Sequence, residues 1–181
     1  LQAEQRADKE THWTYCFSDL PLIDSEGNRN RYEARQSPLP GYRTEQKDGD
    51  FLNEKRTEDK QLKIVDDRGI PVAGAVFSLR RAADGSHVTT SASDAAGVLH
   101  LFGLTVGDYT LANRRVPSGI RAYVGYMTLS IRDPNTACGE TEPLQLFLRD
   151  DDGESVSEEK IVLRRSALPK TPLFTALTLT A

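Results

Sequence analysis

A short pattern of spaced residues occurs twice in this chain of 181 residues. Each copy has a tyrosine, then an amide residue four positions later, then a proline–glycine corner: Tyr32, Gln36 and Pro40-Gly41-Tyr42 in the first copy, and Tyr109, Asn113 and Pro117-Ser118-Gly119-Ile120, one residue looser, in the second. An aromatic segment that closes on a leucine precedes each copy, at residues 13–20 and 98–104. Arrays of small extracellular β-domains repeat in this way and enzymes seldom do, so the chain is predicted to contain a repeated module.

Composition fits a soluble protein of one or two domains and argues against one class of partner. The chain is 38% hydrophobic and 28% charged, with a net charge of −4. Lys and Arg are scattered among carboxylates and form no basic stripe, so no nucleic-acid-binding surface is expected. The cysteines, Cys16 and Cys138, stand far apart in the sequence and are predicted to be unpaired. The fold is therefore not expected to depend on a disulfide.

Alternating apolar and polar residues bounded by Gly, Asp, Asn or Pro predict an all-β chain with almost no helix. About eight strands are predicted in the second repeat, at residues 62–65, 75–79, 88–90, 98–102, 109–113, 122–131, 144–148 and 160–163. The first repeat offers only residues 13–17, 31–36, 42–45 and 50–53. In the first of these, Trp13, Tyr15 and Phe17 share one face, which is predicted to be a core face that this half-module cannot bury by itself.

Charged segments mark the predicted boundaries. Residues 54–60 include no apolar side chain and are predicted to form a short, exposed connector between the repeats. Residues 149–154 loosely resemble a calcium loop but lack its later ligand positions, so an acidic hairpin turn closed by Gly153 is the preferred interpretation. The chain opens on Leu1 with no initiator methionine or signal peptide. We interpret it as a fragment of a longer protein.

Two ordered series of residues resemble modules of Gram-positive surface proteins. The first resembles the C-terminal part of a Cna B-type repeat, through residues 13–21, 24–28, Tyr32, Pro40-Gly41-Tyr42 and Asn53. The second is similar to the prealbumin-like domain of SpaA-type major pilins, through residues 66–77, 94–97, 102–104, 107–111 and 117–119. The resemblance implies tandem immunoglobulin-like or transthyretin-like β-sandwich modules, an incomplete one at 1–58 and a second at 59–165, followed by a tail at 166–181.

The same resemblance implies a role and a location. Such modules serve as stalk, spacer or pilin units of surface proteins attached to the bacterial cell wall. The expected location is therefore extracellular, at the cell surface, and the expected partners include neighbouring repeats of the same polypeptide.

Many relatives contain an internal isopeptide bond between a lysine and an asparagine, promoted by a buried carboxylic acid. Burial deprotonates the lysine, and the protonated acid polarises the amide carbonyl that the lysine attacks. In the first repeat, Asn53 stands at the asparagine position, Gln36 occupies the acid position, and the lysine strand would lie before Leu1. A glutamine amide donates a hydrogen bond but cannot shuttle a proton. The alternative interpretation of Asn53 is a polar residue that ends a strand.

The second repeat lacks the same chemistry at every position. Ile64 stands where the lysine is expected, Asn113 where the acid is expected, and residues 163–165 replace the asparagine. Lys63 is adjacent to Ile64, but a one-residue offset in a strand points its side chain to the opposite face. We therefore expect that neither repeat is cross-linked.

The tail contains a second candidate site. Leu168, Pro169, Lys170 and Thr171 look like the start of an LPxTG sorting signal, which a sortase cuts to join the threonine to peptidoglycan. Residue 172 is proline where glycine is expected, and the apolar stretch that follows is shorter than the ~20 residues of a membrane span. A degenerate remnant is the alternative interpretation.

No motif marks an enzyme. The three histidines lack the spacing of metal ligands, and there is no Gly-x-Ser-x-Gly elbow, P-loop or dinucleotide pattern, so no cofactor or metal is expected. The alternative to a stalk is an adhesin domain that binds a host or extracellular-matrix macromolecule. Its best candidate surface is the region of Tyr123, Tyr126 and Met127. A third hypothesis, a transthyretin-like carrier of a small molecule, would need a channel at a dimer interface.

Overall fold

The computed structural model of the protein describes residues 14–135, 140–156 and 159–166. The chain divides into two compact units, Leu1–Arg35 and Gln36–Ala181. The described residues form eleven β-strands, all of them in the second unit. The predicted all-β class is confirmed. None of the described residues belongs to a helix that is both long enough and apolar enough to cross a membrane.

The first unit contains a tight turn instead of the predicted strands. The Asp24 carboxylate accepts the backbone N–H groups of Glu26 and Asn28, at 2.9 and 2.8 Å. The Tyr32 hydroxyl donates to the carbonyl of Pro21 at 2.7 Å. Of the strands predicted at 13–17 and 31–36, the described residues form none, so that prediction is wrong for them. An isolated segment has no neighbouring strand to pair its backbone, which explains why alternation alone did not produce a strand.

The aromatic residues of the first unit are not core residues. Tyr15 and Phe17 pack edge to face, with ring centroids 5.0 Å apart, but their side chains remain 46% and 42% exposed. The predicted core face is therefore wrong for these two residues, and Trp13 lies outside the described residues.

The second unit begins with a β-hairpin. Tyr42–Lys47 (β1) pairs antiparallel with Asp50–Lys55 (β2). The turn residues Asp48 and Gly49 have φ angles of 52° and 93°. Two successive positive φ values give the hairpin turn whose twist matches that of the strands, and Asp-Gly is one of the residue pairs that best adopts it. Both predicted strands are confirmed, each two residues longer than expected.

The rest of the second unit is a β-sandwich of two sheets. Its strands are Glu58–Asp66 (β3), Val76–Arg81 (β4), His87–Val88 (β5), Val98–Leu104 (β6), Gly107–Arg115 (β7), Met127–Arg132 (β8), Gln145–Arg149 (β9), Ser155–Val156 (β10) and Lys160–Leu163 (β11). One sheet has the order β10-β9-β8-β7-β4-β5, and the other has the order β11-β3-β6. β11 runs parallel to β3, and the other pairs are antiparallel.

The inward-facing residues of both sheets form one hydrophobic core. Ile64, Leu79, Leu101, Leu129 and Ile131 are each 0% exposed and belong to this core. Burying a side chain of this size contributes about 1.5–3 kcal/mol relative to leaving it in water. All eight strands predicted for this region exist. The strand expected over 122–131 begins only at Met127, however, and β10 was not predicted.

The prediction of an exposed connector at 54–60 is wrong in part, since most of these residues belong to strands and only four of the seven are exposed. Only residues 56 and 57 separate β2 from β3, and Arg56, Glu58 and Lys60 are half-buried. The sequence misleads here because every side chain is polar or charged. Burial of such residues requires partners from distant parts of the chain, and those partners cannot be identified from the local pattern.

Tyr109 ties the β6–β7 turn to the core. The side chain is 0% exposed, and its hydroxyl donates to the carbonyl of Thr105 at 2.8 Å. The same oxygen accepts the N–H of Thr105 at 2.9 Å. Tyr109 is the tyrosine of the second copy of the repeated pattern. The pattern therefore places a buried hydroxyl next to a turn whose backbone groups can hydrogen-bond to it.

Tyr109→Phe should destabilise the protein by about 1–2 kcal/mol, because a buried N–H and a buried carbonyl of Thr105 lose their partner. Urea unfolding followed by fluorescence would measure the loss. Tyr126→Phe is the matched control, since Tyr126 is 54% exposed and its variant should unfold at the wild-type midpoint. Equal midpoints for both variants would contradict this role of Tyr109.

Candidate functional site

The structure brings together the two residues that the sequence proposed for isopeptide chemistry. Nε2 of Gln36 donates to Oδ1 of Asn53 at 2.8 Å, and Nδ2 of Asn53 donates back to Oε1 of Gln36 at 3.2 Å. Thr44, which faces Asn53 across the hairpin, donates its hydroxyl to the same Oδ1 at 2.7 Å. Gln36 is half-buried and Asn53 is exposed.

This amide pair can polarise a carbonyl but cannot complete an amide exchange. Two donors point at Oδ1 of Asn53, as they would in an oxyanion hole. Attack by an amine would also require a group that gives a proton to the departing ammonia. Neither the amide of Gln36 nor the hydroxyl of Thr44 does this near neutral pH. Among the described residues, Gln36 and Thr44 therefore supply hydrogen bonds to Asn53 but no acid for this step.

The corresponding positions of the second repeat are occupied by core residues. Ile64 is 0% exposed and belongs to the hydrophobic core, whereas Lys63, its neighbour in β3, is exposed. The expected orientation of Lys63, away from the core, is confirmed. Leu163, 1% exposed, also packs in the core, and the backbone N–H of Arg121 donates to the carbonyl of Arg164 at 2.7 Å.

The side chain of Asn113 is only partly hydrogen-bonded. Its Oδ1 atom is buried and has no hydrogen-bond partner among the described residues. Its Nδ2 makes only long contacts, of 3.4 and 3.5 Å, with the carbonyls of Val76 and Arg115. Such an acceptor costs stability. The acid position of this repeat thus holds an amide whose oxygen has no partner among the described residues.

A second site, which the sequence did not indicate, joins the hairpin to the sandwich. Asp133 follows β8, and its side chain is 3% exposed. Its Oδ2 accepts the backbone N–H of Gly41 at 2.9 Å, and its Oδ1 accepts Nη1 of Arg56 at 3.0 Å. Gly41 precedes β1 and Arg56 follows β2, so one carboxylate holds both ends of the hairpin. We call Asp133, Gly41 and Arg56 the Asp133 clasp.

Further polar groups surround the clasp and leave few of its atoms unpaired. Nη2 of Arg56 donates to Oε1 of Glu58 at 3.1 Å and to the carbonyl of Glu142 at 2.5 Å. Glu58 also accepts the N–H of Leu144 at 2.9 Å and the amine of Lys60 at 2.9 Å. A half-buried charge is tolerated when it is paired and hydrogen-bonded in this way.

The pKa values of the acids in this region reflect the same contacts. Burial alone would raise the pKa of the Asp133 carboxyl, but hydrogen bonds from Gly41 and Asn135 and the charge of Arg56 outweigh it and hold the pKa below its usual range. Burial likewise opposes ionisation of Glu58, yet the N–H of Leu144 and the amine of Lys60 lower its pKa. Both carboxylates are therefore charged at neutral pH.

Gly41 cannot be replaced easily at this position. Its φ angle is 81°, and a Cβ added there would lie 3.0 Å from the side chain of Val106. Both the positive φ and the close approach favour glycine. Gly41 belongs to the repeated Pro-Gly corner. The repetition of that corner was the sequence signal for a special backbone contact at this position.

The surface proposed for ligand binding around Tyr123, Tyr126 and Met127 does not form. Met127 is 4% exposed, Tyr123 packs partly against the core and Tyr126 is 54% exposed, so these three residues form no common patch. The hydroxyl of Tyr123 donates to Asp151 at 2.8 Å, and burial with the nearby Asp151 raises the pKa of Tyr123 to about 12.

The acidic stretch 149–154 forms the predicted hairpin turn. The Asp150 carbonyl accepts the N–H of Gly153 at 3.1 Å, and Gly153 has a φ angle of 83°. Within the described residues, no group of three or more His, Cys, Asp and Glu side chains is arranged to hold a metal ion.

The sorting-signal candidate and one of the cysteines lie outside the described residues: Leu168, Pro169, Lys170, Thr171 and Cys138. Cys16 is a free, exposed thiol.

A small cleft borders the hairpin. Its volume is about 130 Å³, and its lining includes Leu39, Tyr42, Asp133 and Asn135. Pockets that hold drug-sized ligands are usually about 300–1,000 Å³. This cleft is therefore a poor candidate for the small-molecule site that a carrier would need.

Two family models match the chain. Residues 58–140 match the SpaA prealbumin-like fold domain, and residues 1–55 match the Cna protein B-type domain. These matches confirm the predicted resemblance. No curated protein shows significant similarity to the chain.

The full chain should have the intact mass of its sequence, with no loss of ammonia. The reason is that Gln36 supplies no proton to Asn53 and that Ile64 replaces the nucleophile in the second repeat. Electrospray mass spectrometry of the purified chain measures this, and peptide mapping is the control. A branched peptide that joins Asn53 to a lysine would overturn the expectation.

Proposed function

We propose that the chain is a non-catalytic spacer in the stalk of a surface protein or pilin attached to the cell wall, because residues 1–55 match a Cna B-type domain and residues 58–140 match a SpaA prealbumin-like domain. Domains of these two kinds are typically structural modules and usually occur in extracellular surface proteins. A stalk displays other parts of a protein at a distance from the cell, so it needs stiff junctions between successive modules.

The Asp133 clasp is the observation that supports this proposal most directly. The hairpin lies within the region that matches the Cna B-type domain, and Asp133 lies within the region that matches the prealbumin-like domain. A buried carboxylate that holds both ends of the hairpin resists bending at the place where the two matched regions meet. The neighbouring repeats of the same polypeptide are the natural partners of such a module.

The tail would attach the protein to the cell wall. Leu168, Pro169, Lys170 and Thr171 would be the recognition residues of a sortase, with peptidoglycan as the acceptor. Pro172 would place a prolyl nitrogen at the bond to be cut, which changes both the shape and the leaving group. We therefore propose slow processing at this site.

A ligand-binding adhesin domain is the alternative function, with a macromolecule of the host or of its extracellular matrix as ligand. It would need an exposed surface away from the clasp, because the clasp residues are occupied by one another.

Asp133→Asn should weaken the junction by about 2 kcal/mol, because Arg56 and Gly41 lose a charged acceptor. In single-molecule pulling between the two ends of the chain, the variant should release the hairpin in a separate event before the sandwich unfolds. Glu45→Gln is the matched control, since it removes an exposed carboxylate from β1 without touching the clasp. Early release in the wild type at neutral pH would argue against a load-bearing spacer.

Acid should reproduce the effect in the wild type. The folded-state pKa of Asp133 is depressed, so its stabilisation is fully present above the ordinary carboxyl pKa of about 3.9 and is lost as the pH falls through the lower folded-state value. The difference between wild type and Asp133→Asn should therefore shrink in that acidic range.

Pro172→Gly should increase cleavage by a purified sortase at Thr171 by at least an order of magnitude, because the leaving group becomes an ordinary glycine amine. Release of the C-terminal peptide, followed by mass spectrometry in the presence of an oligoglycine acceptor, measures the rate. Thr171→Val in the Pro172→Gly background is the control. If Pro172→Gly is not cleaved, residues 168–171 are not a sorting signal.

A further inference from the structure

The outer face of the six-stranded sheet has an unusual set of charges. Strands β4, β7, β8 and β9 bury one face in the core and expose the other, with alternating burial along each strand. The cationic side chains that alternation places on the exposed side are all arginines: Arg80, Arg114, Arg132 and Arg149. Arg115, at the irregular end of β7, is exposed as well. The one carboxylate among them is Asp108. We call this surface the arginine face.

Strand register places two of the arginines in one row. Arg80 pairs with Thr110, Thr110 with Thr128, and Thr128 with Arg149. Neighbouring strands lie about 4.8 Å apart, so the Cα atoms of Arg80 and Arg149 are separated by about 14 Å with hydroxyl groups between them. A linear ligand that crosses the strands would contact both guanidinium groups.

An exposed phenylalanine lies beside this row. Phe147 is 48% exposed and pairs with Ser130 across β8 and β9. Leu148, 3% exposed, supplies the packing of β9 against the core, so folding does not need an aromatic ring on the opposite side. Along β9, Arg149 is two residues away on the same face.

The arginines of this face outnumber its one carboxylate. Asp108 pairs with Arg132 at 2.6 Å, both side chains are 48% exposed, and the charge of Arg149 also helps to lower the pKa of Asp108. Arg80 donates to the carbonyl of Gly85 at 3.0 Å, and Arg114 donates to the hydroxyl of Ser78 at 2.8 Å. Neutral oxygen atoms thus orient these two guanidinium groups and leave their charge available.

The whole chain has a net charge of −4, so this surface is opposite in sign to the molecule. Carboxylates of the turn at 150–152 follow Arg149 and border the face on that side. A bound anion would therefore be confined to the sheet face and repelled from its margin.

We propose that the arginine face binds a linear acidic polysaccharide that bears sulfate and carboxylate groups. Guanidinium groups bind such oxyanions through paired hydrogen bonds, which an ammonium group cannot do. Thr110, Thr128 and Ser130 bind sugar hydroxyls, and Phe147 packs against a sugar ring. This binding role is separate from the spacer function, since it uses none of the clasp residues.

Binding of heparin to the full chain, measured by isothermal titration calorimetry in ~0.15 M salt, tests the proposal. Arg80→Gln and Arg149→Gln should each weaken binding about fivefold and the double variant about 25-fold, if each arginine contributes one exposed charge pair at the upper end of its usual strength. Phe147→Ala should weaken binding without changing its salt dependence.

Matched controls come from the rest of the second unit. Arg68→Gln removes an exposed arginine of the β3–β4 region, and Phe102→Ala removes an aromatic ring that is 42% exposed in the other sheet. Both should bind heparin as the wild type does. Circular dichroism of all variants checks that the sheet is intact.

Three results would overturn the proposal. The first is an absence of heparin binding by the wild type, and the second is an equal loss of binding in the Arg68→Gln control. The third is equal affinity for heparin and for inorganic polyphosphate together with an unchanged Phe147→Ala variant, because that outcome indicates attraction to charge alone. The pulling behaviour of the Arg80→Gln variant should match that of the wild type, so failure here is distinguishable from failure of the spacer role.

Discussion

The position of the hairpin on the sandwich depends on the carboxylate of Asp133. Each of its oxygen atoms accepts a bond from a different end of the hairpin, from Gly41 on one side and from Arg56 on the other. The side chain is 3% exposed, so water cannot replace either donor. Loss of this charged acceptor should cost about 2 kcal/mol, less than the penalty for a wholly unpaired buried charge, because Arg56 keeps Glu58 as an ion-pair partner. A two-stranded hairpin is only marginally stable by itself, and the clasp therefore supplies much of what keeps β1 and β2 in place.

The two copies of the repeated pattern use their glycine for the same backbone contact. The carbonyl of Gly41 accepts the N–H of Arg56, just past β2, at 2.9 Å, and the carbonyl of Gly119 accepts the N–H of Ser166, just past β11, at 2.9 Å. In each copy the Pro-Gly corner thus holds the chain where it leaves the last strand of its repeat. The middle position has no such shared role, because Gln36 bonds to Asn53 whereas Oδ1 of Asn113 has no partner among the described residues. The corner is thus a part of the pattern that makes the same contact in both copies.

Sequence alone predicted the strands of the sandwich, because they depend on local alternation, and it named Gln36 and Asn53 as candidate residues through a family motif. It placed Lys63 outside and Ile64 inside for the same reason, since adjacent residues of a strand face opposite sides. The sequence-based prediction of a buried strand failed for Tyr15 and Phe17. Their alternating pattern suits a strand, but no neighbouring strand pairs with them among the described residues. Sequence alone also missed the clasp, because Asp133 is 77 residues from Arg56 and 92 from Gly41. Nothing in a local run of charged residues indicates that one of them will be buried in an ion pair with a distant carboxylate.

Polar contacts respond to pH and salt in a way that a covalent cross-link would not. The Gln36–Asn53 pair is largely exposed, so each of its hydrogen bonds contributes about 1 kcal/mol or less. An isopeptide bond would hold regardless of pH and salt, whereas the clasp depends on ionised carboxylates. Burial protects Asp133 and Arg56 from screening by salt, but protonation of Asp133 and Glu58 removes the charges that Arg56 and Lys60 require. The attachment of the hairpin to the sandwich should therefore persist until the pH falls into the acidic range in which Asp133 is protonated, and it depends more on the identity of residues 41 and 133 than on that of residue 36.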